Sequence, residues 1–104
     1  MHKVFVMYRL RPGVTMDEYV RWSSEVDQRI TPSQRGCIRF EVYAIDGSED
    51  GSEPAYQIVE DIEVESWEVW QQTLQGEGMA VVANDFPKYA DESTVQLIYG
   101  HRVL

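Results

Sequence analysis

The sequence has few of the residues on which covalent and metal-based architectures depend. Its 104 residues include one cysteine, Cys37, and two histidines. A single thiol excludes a disulfide framework within the chain, and it excludes a zinc site built from several thiolates. Because Cys37 lies between Gly36 and Ile38, we interpret it as a small buried apolar residue at the start of a strand.

Positive charge is also scarce. Nine basic residues face eighteen acidic ones, which gives a net charge of -9. Such a chain repels phosphate backbones and anionic lipid surfaces, so neither nucleic acid nor a membrane is an expected partner. The sequence lacks an apolar run of about 18 residues and a signal-peptide pattern, which predicts a cytoplasmic location. The acidic stretch 46–53 is interpreted as a solvated hairpin loop.

Hydrophobic spacing predicts an α+β fold with the element order βαββαβ. The predicted strands cover residues 3–10, 37–45, 55–62 and 93–103. A capping box at Thr15 begins the first helix, whose apolar spacing runs through Val26 to Ile30, and Ser66 caps the second. We therefore predict one ferredoxin-like domain over residues 1–104, with a four-stranded antiparallel sheet and helices on one face.

The first predicted strand is apolar on both faces. Val4, Val6 and Tyr8 lie on one face, and Phe5 and Met7 lie on the other. One layer of helices covers only one of these faces, and a bare apolar patch in water promotes association. We therefore predict a homodimer in which two sheets pack face to face.

The segment from Arg9 to Tyr19, which reads RLRPGVTMDEY, resembles the strand, turn and helix that open dimeric α+β barrel proteins, EthD-like proteins among them. Length and element order also resemble the REDY-like HapK proteins, which are associated with prodiginine pigments. The resemblance implies a cleft between sheet and helices in each subunit. It also implies a role in secondary metabolism, in a superfamily that includes cofactor-free monooxygenases, cyclases and isomerases. EthD-like proteins often carry a histidine late in the first helix, and Asp27 occupies that position here.

Four residues are candidates for catalysis. His101 is a base that titrates near neutral pH, and Asp27 and Glu60 are carboxylates that serve as bases once they are desolvated. Tyr8 is a candidate donor to a carbonyl or enolate oxygen. Structural alternatives remain open: a hydrogen-bonded histidine at a strand end, an ion pair between Glu60 and Arg39, and a tyrosine that packs in the core.

Aromatic residues suit a flat apolar ligand. The candidate ligand-binding residues are Trp22, Trp67, Trp70, Tyr99 and Arg39, with core or dimer packing as the alternative for the tryptophans. These features predict an enzyme that uses neither metal nor cofactor, with a small hydrophobic, pyrrole-type metabolite as its substrate. The alternative is a non-catalytic dimer that binds a pathway intermediate or a partner enzyme.

Overall fold

The computed structural model describes residues 1–104. These residues form four strands and two helical regions. The strands are β1 (His2–Tyr8), β2 (Cys37–Ala44), β3 (Ile58–Val64) and β4 (Gln96–His101). The first helical region consists of α1 (Met16–Trp22), a π turn (Ser23–Asp27), α2 (Gln28–Ile30) and a 3-10 turn (Thr31–Ser33). The second consists of α3 (Trp67–Leu74), a 3-10 turn (Glu77–Met79) and α4 (Ala80–Tyr89), and a further 3-10 turn (Glu92–Thr94) precedes β4.

The strands form one antiparallel sheet in the order β2-β3-β1-β4. This arrangement confirms the predicted ferredoxin-like α+β fold. The register places Val6 opposite both Glu60 and Leu97, so these three side chains lie on the same face of the sheet. It places Phe5 opposite Asp61 and Ile98 on the other face.

Local chemistry explains where the two helical regions begin. The Thr15 hydroxyl accepts a hydrogen bond from the Glu18 backbone N–H at 3.1 Å, and a Glu18 carboxylate oxygen accepts one from the Thr15 N–H at 3.1 Å. This reciprocal pair satisfies two donors that an uncapped helix leaves without partners. Ser66 caps α3 by accepting from the Val69 N–H at 3.2 Å.

The buried core lies between the sheet and the helices, and it is divided into two clusters. The larger cluster includes Tyr8, Tyr19, Trp22 and Ile58 with residues of α4. The smaller cluster has four buried members: Val4, Ile62, Val64 and Trp70. The opposite face of the sheet has no covering layer within the chain, and there Phe5 and Met7 are half-buried as predicted.

Most strand boundaries differ from the sequence-based prediction, and the largest differences are the starts of β3 and β4, each three residues later than predicted. β3 begins at Ile58 because the preceding segment is held toward β1 and β4, where Arg9 donates to the Pro54 carbonyl and Tyr56 donates to Gln96. β4 begins only at Gln96, since Asp91 caps a 3-10 turn at residues 92–94 instead. None of the helices has the length and apolar character needed to cross a membrane.

Candidate functional site

A cavity of about 320 Å³ separates the two core clusters. Its walls come from the covered face of the sheet, the first helical region, α3 and α4, and eleven of its fifteen lining residues are hydrophobic. The polar lining residues are Asp27, Thr31, Glu60 and Glu92, and no lysine, arginine or histidine contributes to the walls. The cavity is therefore apolar with a purely acidic set of ionisable groups.

The π turn brings Asp27 to this cavity. A π turn has a wider spacing than an α-helix, and it changes which residues of the following segment face inward. Ser23, Asp27 and Thr31, spaced four residues apart, are all at most 3% exposed. The Thr31 hydroxyl donates to Asp27 Oδ1 at 2.7 Å, while Oδ2 has no partner in the protein. One carboxylate oxygen is thereby fixed, and the other remains available to a ligand.

Glu60 lies in the middle of β3 and enters the cavity from the sheet. The Tyr8 hydroxyl donates to Glu60 Oε2 at 2.8 Å. The Tyr19 hydroxyl lies 2.5 Å from that of Tyr8, and it is the donor of this pair because the single Tyr8 proton is used toward Glu60. A chain of hydrogen bonds thus runs from Tyr19 through Tyr8 to Glu60, and it leaves Oε1 of Glu60 without a protein partner.

The environment of the cavity raises the pKa values of its two carboxyl groups by different amounts. Burial raises the pKa of Asp27 to about 6, although the hydrogen bond from Thr31 opposes that rise. Burial, and then the charge of Asp27, raise the pKa of Glu60 to about 8. Burial also raises the pKa values of Tyr8 and Tyr19, so both tyrosines stay protonated. Burial therefore favours the protonated form of Glu60 more strongly than that of Asp27, the order that an acid and a base require.

The structure brings some of the predicted site residues together. Asp27, Glu60 and Trp70 line the cavity, and Tyr8 lies behind Glu60 as its hydrogen-bond donor. Because the Tyr8 proton is already used, this residue positions Glu60 and has no free proton for a ligand. Tyr19 and Thr31 complete the site and were not predicted from the sequence. The four-residue spacing of Ser23, Asp27 and Thr31 was the available signal.

The remaining predicted residues lie elsewhere. His101 is exposed at the end of β4, opposite His2, and Arg39 pairs with Glu41 at 2.9 Å, so it forms no ion pair with Glu60. Trp67 stacks on Tyr99, with ring centroids 4.3 Å apart, away from the cavity walls.

Trp22, expected beside the apolar stripe of the first helix, is a core residue. Its ring stacks on Tyr89 with the ring centroids 5.0 Å apart, and its Nε1–H donates to Asp85 at 3.3 Å.

No group of three or more His, Cys, Asp or Glu side chains is arranged to hold a metal ion. Cys37 is free and lies at the start of β2, as the sequence predicted, but it is half-buried instead of buried.

Comparison with known proteins assigns this architecture to a family. The family model described as REDY-like protein HapK matches residues 2–103. A search of curated protein sequences finds no match.

Solved structures show the same fold. HapK from Hahella chejuensis is similar with a TM-score of 0.80 and 19% identity, over 99% of this chain and 93% of that one. An ethyl tert-butyl ether degradation (EthD) family protein from Bacillus halodurans C-125 gives a TM-score of 0.78 and 19% identity, over 99% of both chains. A protein from Bacteroides fragilis, described as dimeric with a ferredoxin-like fold, gives 0.70 and 12% over 97% of this chain and 95% of that one.

Proposed function

The chain belongs to the family of REDY-like protein HapK, and from this premise we propose that it acts in the biosynthesis of a prodiginine-like pigment. The proposed activity is acid–base chemistry, without a cofactor, on a hydrophobic pyrrole-type intermediate bound between the sheet and the helices. One observation carries this proposal: two buried carboxyl groups, Asp27 and Glu60, line one apolar cavity, and each has one oxygen that no protein group occupies.

Asp27 is the proposed base. Its ionised carboxylate takes a proton from a C–H or N–H group of the substrate through Oδ2, the oxygen that Thr31 leaves free. The apolar walls strengthen this role, since a desolvated carboxylate binds a proton more tightly than a solvated one does. The pKa of about 6 keeps Asp27 mostly ionised at neutral pH and still basic enough to accept a proton.

Glu60 is the proposed acid. Its protonated carboxyl group gives a proton to the substrate at a second atom, and Asp27 takes one, so the reaction moves a proton without changing the oxidation state. Proton exchange with water then returns Asp27 to its ionised form and Glu60 to its protonated form. Tyr8 holds the orientation of Glu60, and Tyr19 holds that of Tyr8. Tautomerisation, isomerisation and cyclisation all consist of such paired proton movements. The pairing of an acid with a base therefore favours these reactions over oxygenation.

The proposal is tested by incubating the protein with candidate pyrrole and bipyrrole intermediates and by following the products with mass spectrometry and ultraviolet absorption. Isomers have equal mass, so the absorption spectrum is needed beside the mass. Asp27→Asn and Glu60→Gln should each lower kcat/KM by about 10²–10⁴-fold, the usual contribution of a positioned acid or base. Glu49→Gln is the control, because Glu49 is exposed in the loop between β2 and β3, outside both the cavity lining and the sheet.

Two results would contradict the catalytic proposal. Equal turnover in wild type and in both cavity variants would remove the acid–base pair from the mechanism. Measurable binding of every candidate with no spectral or mass change would instead indicate a protein that carries a pathway intermediate to another enzyme.

We also propose that the protein is a homodimer that packs through the uncovered face of the sheet. Phe5 and Met7 in β1 lie there with Val59 and Ile98 on the neighbouring strands. Lys3 and Asp61 pair at 2.7 Å on the same face of the two central strands, and Asp61 is directly opposite Phe5. An apolar patch on an uncovered sheet face favours association between subunits, and the charge of Asp61 is paired with Lys3 within each subunit. The dimeric description of the Bacteroides fragilis protein, which shares the fold, supports this assembly.

A further inference from the structure

Asp27 and Glu60 each present one unoccupied carboxyl oxygen to the cavity. Their side chains are buried, since Asp27 is 3% exposed and Glu60 is 7% exposed. Thr31 occupies Oδ1 of Asp27, and Tyr8 occupies Oε2 of Glu60. The other two oxygens have no partner in the protein, yet neither is enclosed, because the only fully enclosed and unpartnered side-chain polar atom is the Trp70 nitrogen. The cavity that both side chains line is the space that these oxygens face.

The protein supplies no positive charge to balance these two carboxyl groups. None of the residues that line the cavity is a lysine, arginine or histidine. The four ion pairs of the chain include neither Asp27 nor Glu60. Buried carboxylates are normally paired with a cation, because an unpaired buried charge has lost its hydration without compensation. A cationic ligand would supply the counter-charge that the chain lacks at this site.

The walls of the cavity favour an organic cation over a metal ion. Metal ions such as Mg²⁺ and Ca²⁺ are held by several converging oxygen ligands, and no three acidic, histidine or cysteine side chains of the chain converge in this way. Eleven of the fifteen lining residues are hydrophobic, and three of them are aromatic: Phe40, Trp70 and Phe86. Aromatic rings attract organic cations and pack against flat apolar groups. The volume of about 320 Å³ is sufficient for a small molecule.

The opening of the cavity is also acidic. Its exposed lining residues are Ala83 on α4 and Glu92, Val95 and Leu97 on the segment that leads into β4, so the cavity opens between these two elements. Glu92 is the charged residue at this opening. A negative group there attracts cations and repels anions, in a chain whose net charge is already -9.

We propose that the cavity binds an organic monocation with a protonated C=N group, such as an iminium or amidinium ion, whose N–H groups donate to Asp27 Oδ2 and Glu60 Oε1. Its flat apolar body packs against the aromatic walls. This inference rests on the proposed function and names the charge and the class of its substrate. In an iminium substrate, Asp27 takes a proton from the carbon next to the C=N group and leaves a neutral enamine. Glu60 then gives a proton to another atom, which produces an isomeric iminium ion.

Three probes of nearly equal shape differ in charge. These are benzamidinium, the neutral benzamide and the anion benzoate. Calorimetry measures their affinity, and the methyl NMR signals of Val82 and Leu97, which line the cavity, report where they bind. Benzamidinium should shift these signals and bind about tenfold or more tightly than benzamide, the effect of one charge-assisted hydrogen bond. Benzoate should bind more weakly than benzamide.

Two variants with the same change in net charge separate the cavity from the acidic surface. Asp27→Asn and Glu49→Gln each remove one negative charge, and Glu49 is exposed in the loop between β2 and β3. Asp27→Asn should abolish the preference for benzamidinium over benzamide, whereas Glu49→Gln should keep it. Asparagine still accepts the hydrogen bond from Thr31. If Asp27→Asn does not fold, Glu60→Gln provides the same comparison and should weaken the preference.

The outcomes distinguish this inference from the function on which it rests. Equal binding of benzamide and benzamidinium, with shifted cavity signals, would overturn the inference and leave a site for neutral ligands. An undiminished preference in Asp27→Asn would place the cation on the acidic surface and would also overturn it. If no probe moves a cavity signal up to its solubility limit, the binding site of the proposed function fails together with the inference. Selective binding of benzamidinium in the cavity, without any turnover of pathway intermediates, would support the cation site and remove only the proposed reaction.

Discussion

Replacing Glu60 with glutamine should change how the stability of the protein depends on pH. Glu60 is 7% exposed, and its pKa rises from 4.5 to about 8 on folding, chiefly because burial disfavours the charged form. The folded protein therefore binds this proton more tightly than the unfolded chain does. The stability that Glu60 contributes is complete below pH 4.5 and is lost as pH rises through the folded value of about 8.

The size of the effect follows from the two pKa values. Between pH 5 and pH 9 the ionisation of Glu60 should lower the free energy of unfolding of the wild type by about 4 kcal/mol, at 1.36 kcal/mol per pKa unit. With a urea m-value of about 1.5 kcal/mol/M, this corresponds to a decrease of about 2.5 M in the midpoint. Glutamine has no proton to lose and still accepts the hydrogen bond from Tyr8. The Glu60→Gln variant should therefore lack this part of the pH dependence and exceed the wild type in stability at pH 9.

The assay is urea unfolding, followed by tryptophan fluorescence at several pH values and one protein concentration, because a dimer's stability depends on concentration. Glu49→Gln serves as the control, since its side chain is exposed in the loop between β2 and β3, and its curve should run parallel to that of the wild type. Parallel curves for wild type and Glu60→Gln would refute the reasoning. They would mean that Glu60 is solvated in the folded protein and is no acid at neutral pH.

Three further predictions follow from the same contacts. The pH profile of kcat/KM should be bell-shaped, because activity requires Asp27 ionised above about pH 6 and Glu60 protonated below about pH 8; a profile that is flat from pH 5 to pH 9 would exclude the pair. Met7→Glu should yield a monomer or an aggregate in light-scattering chromatography, and a stable wild-type monomer would contradict the sheet-to-sheet dimer. Gly36→Ala should lower the free energy of unfolding by about 1–3 kcal/mol. Gly36 has φ +84°, and an added Cβ would lie 2.7 Å from Val69 Cγ1 in α3. A loss below about 0.5 kcal/mol in chemical denaturation would show that α3 moves to accommodate the methyl group without cost.

The fold was predictable because several independent signals in the sequence agree. The capping box at Thr15, the alternation in β1 and the second cap at Ser66 each specify one element, and their order fits one common topology. Because both faces of β1 are apolar, the alternation also predicted which of its residues the helices cover and that Phe5 and Met7 lie on the other face. These are local properties, since each depends on residues within about one turn or one strand.

The site was only partly predictable because it depends on contacts between distant segments. Glu60 was a candidate on the basis of its apolar neighbours, yet its partner Tyr8 lies 52 residues away in the chain and reaches it only across adjacent strands. His101 is chemically the most versatile of the candidates, but β4 places it at an exposed end of the sheet. Residue type therefore identified what each group can do, and only the register decided which groups meet.

In the first helical region, the 3.6-residue spacing of an α-helix did not predict which side chains face the cavity. An α-helix with 3.6 residues per turn would place Val26 and Ile30 inward, and in the structure both are only half-buried. The π turn at residues 23–27 instead turns Asp27 and Thr31 toward the cavity. An apolar pair there would pack more favourably than a buried carboxyl group, so this turn lowers stability locally and supplies the second carboxyl group of the cavity. Departures from local rules are expected where function requires them, and this one places the carboxyl group of the proposed base in the cavity wall instead of an apolar side chain.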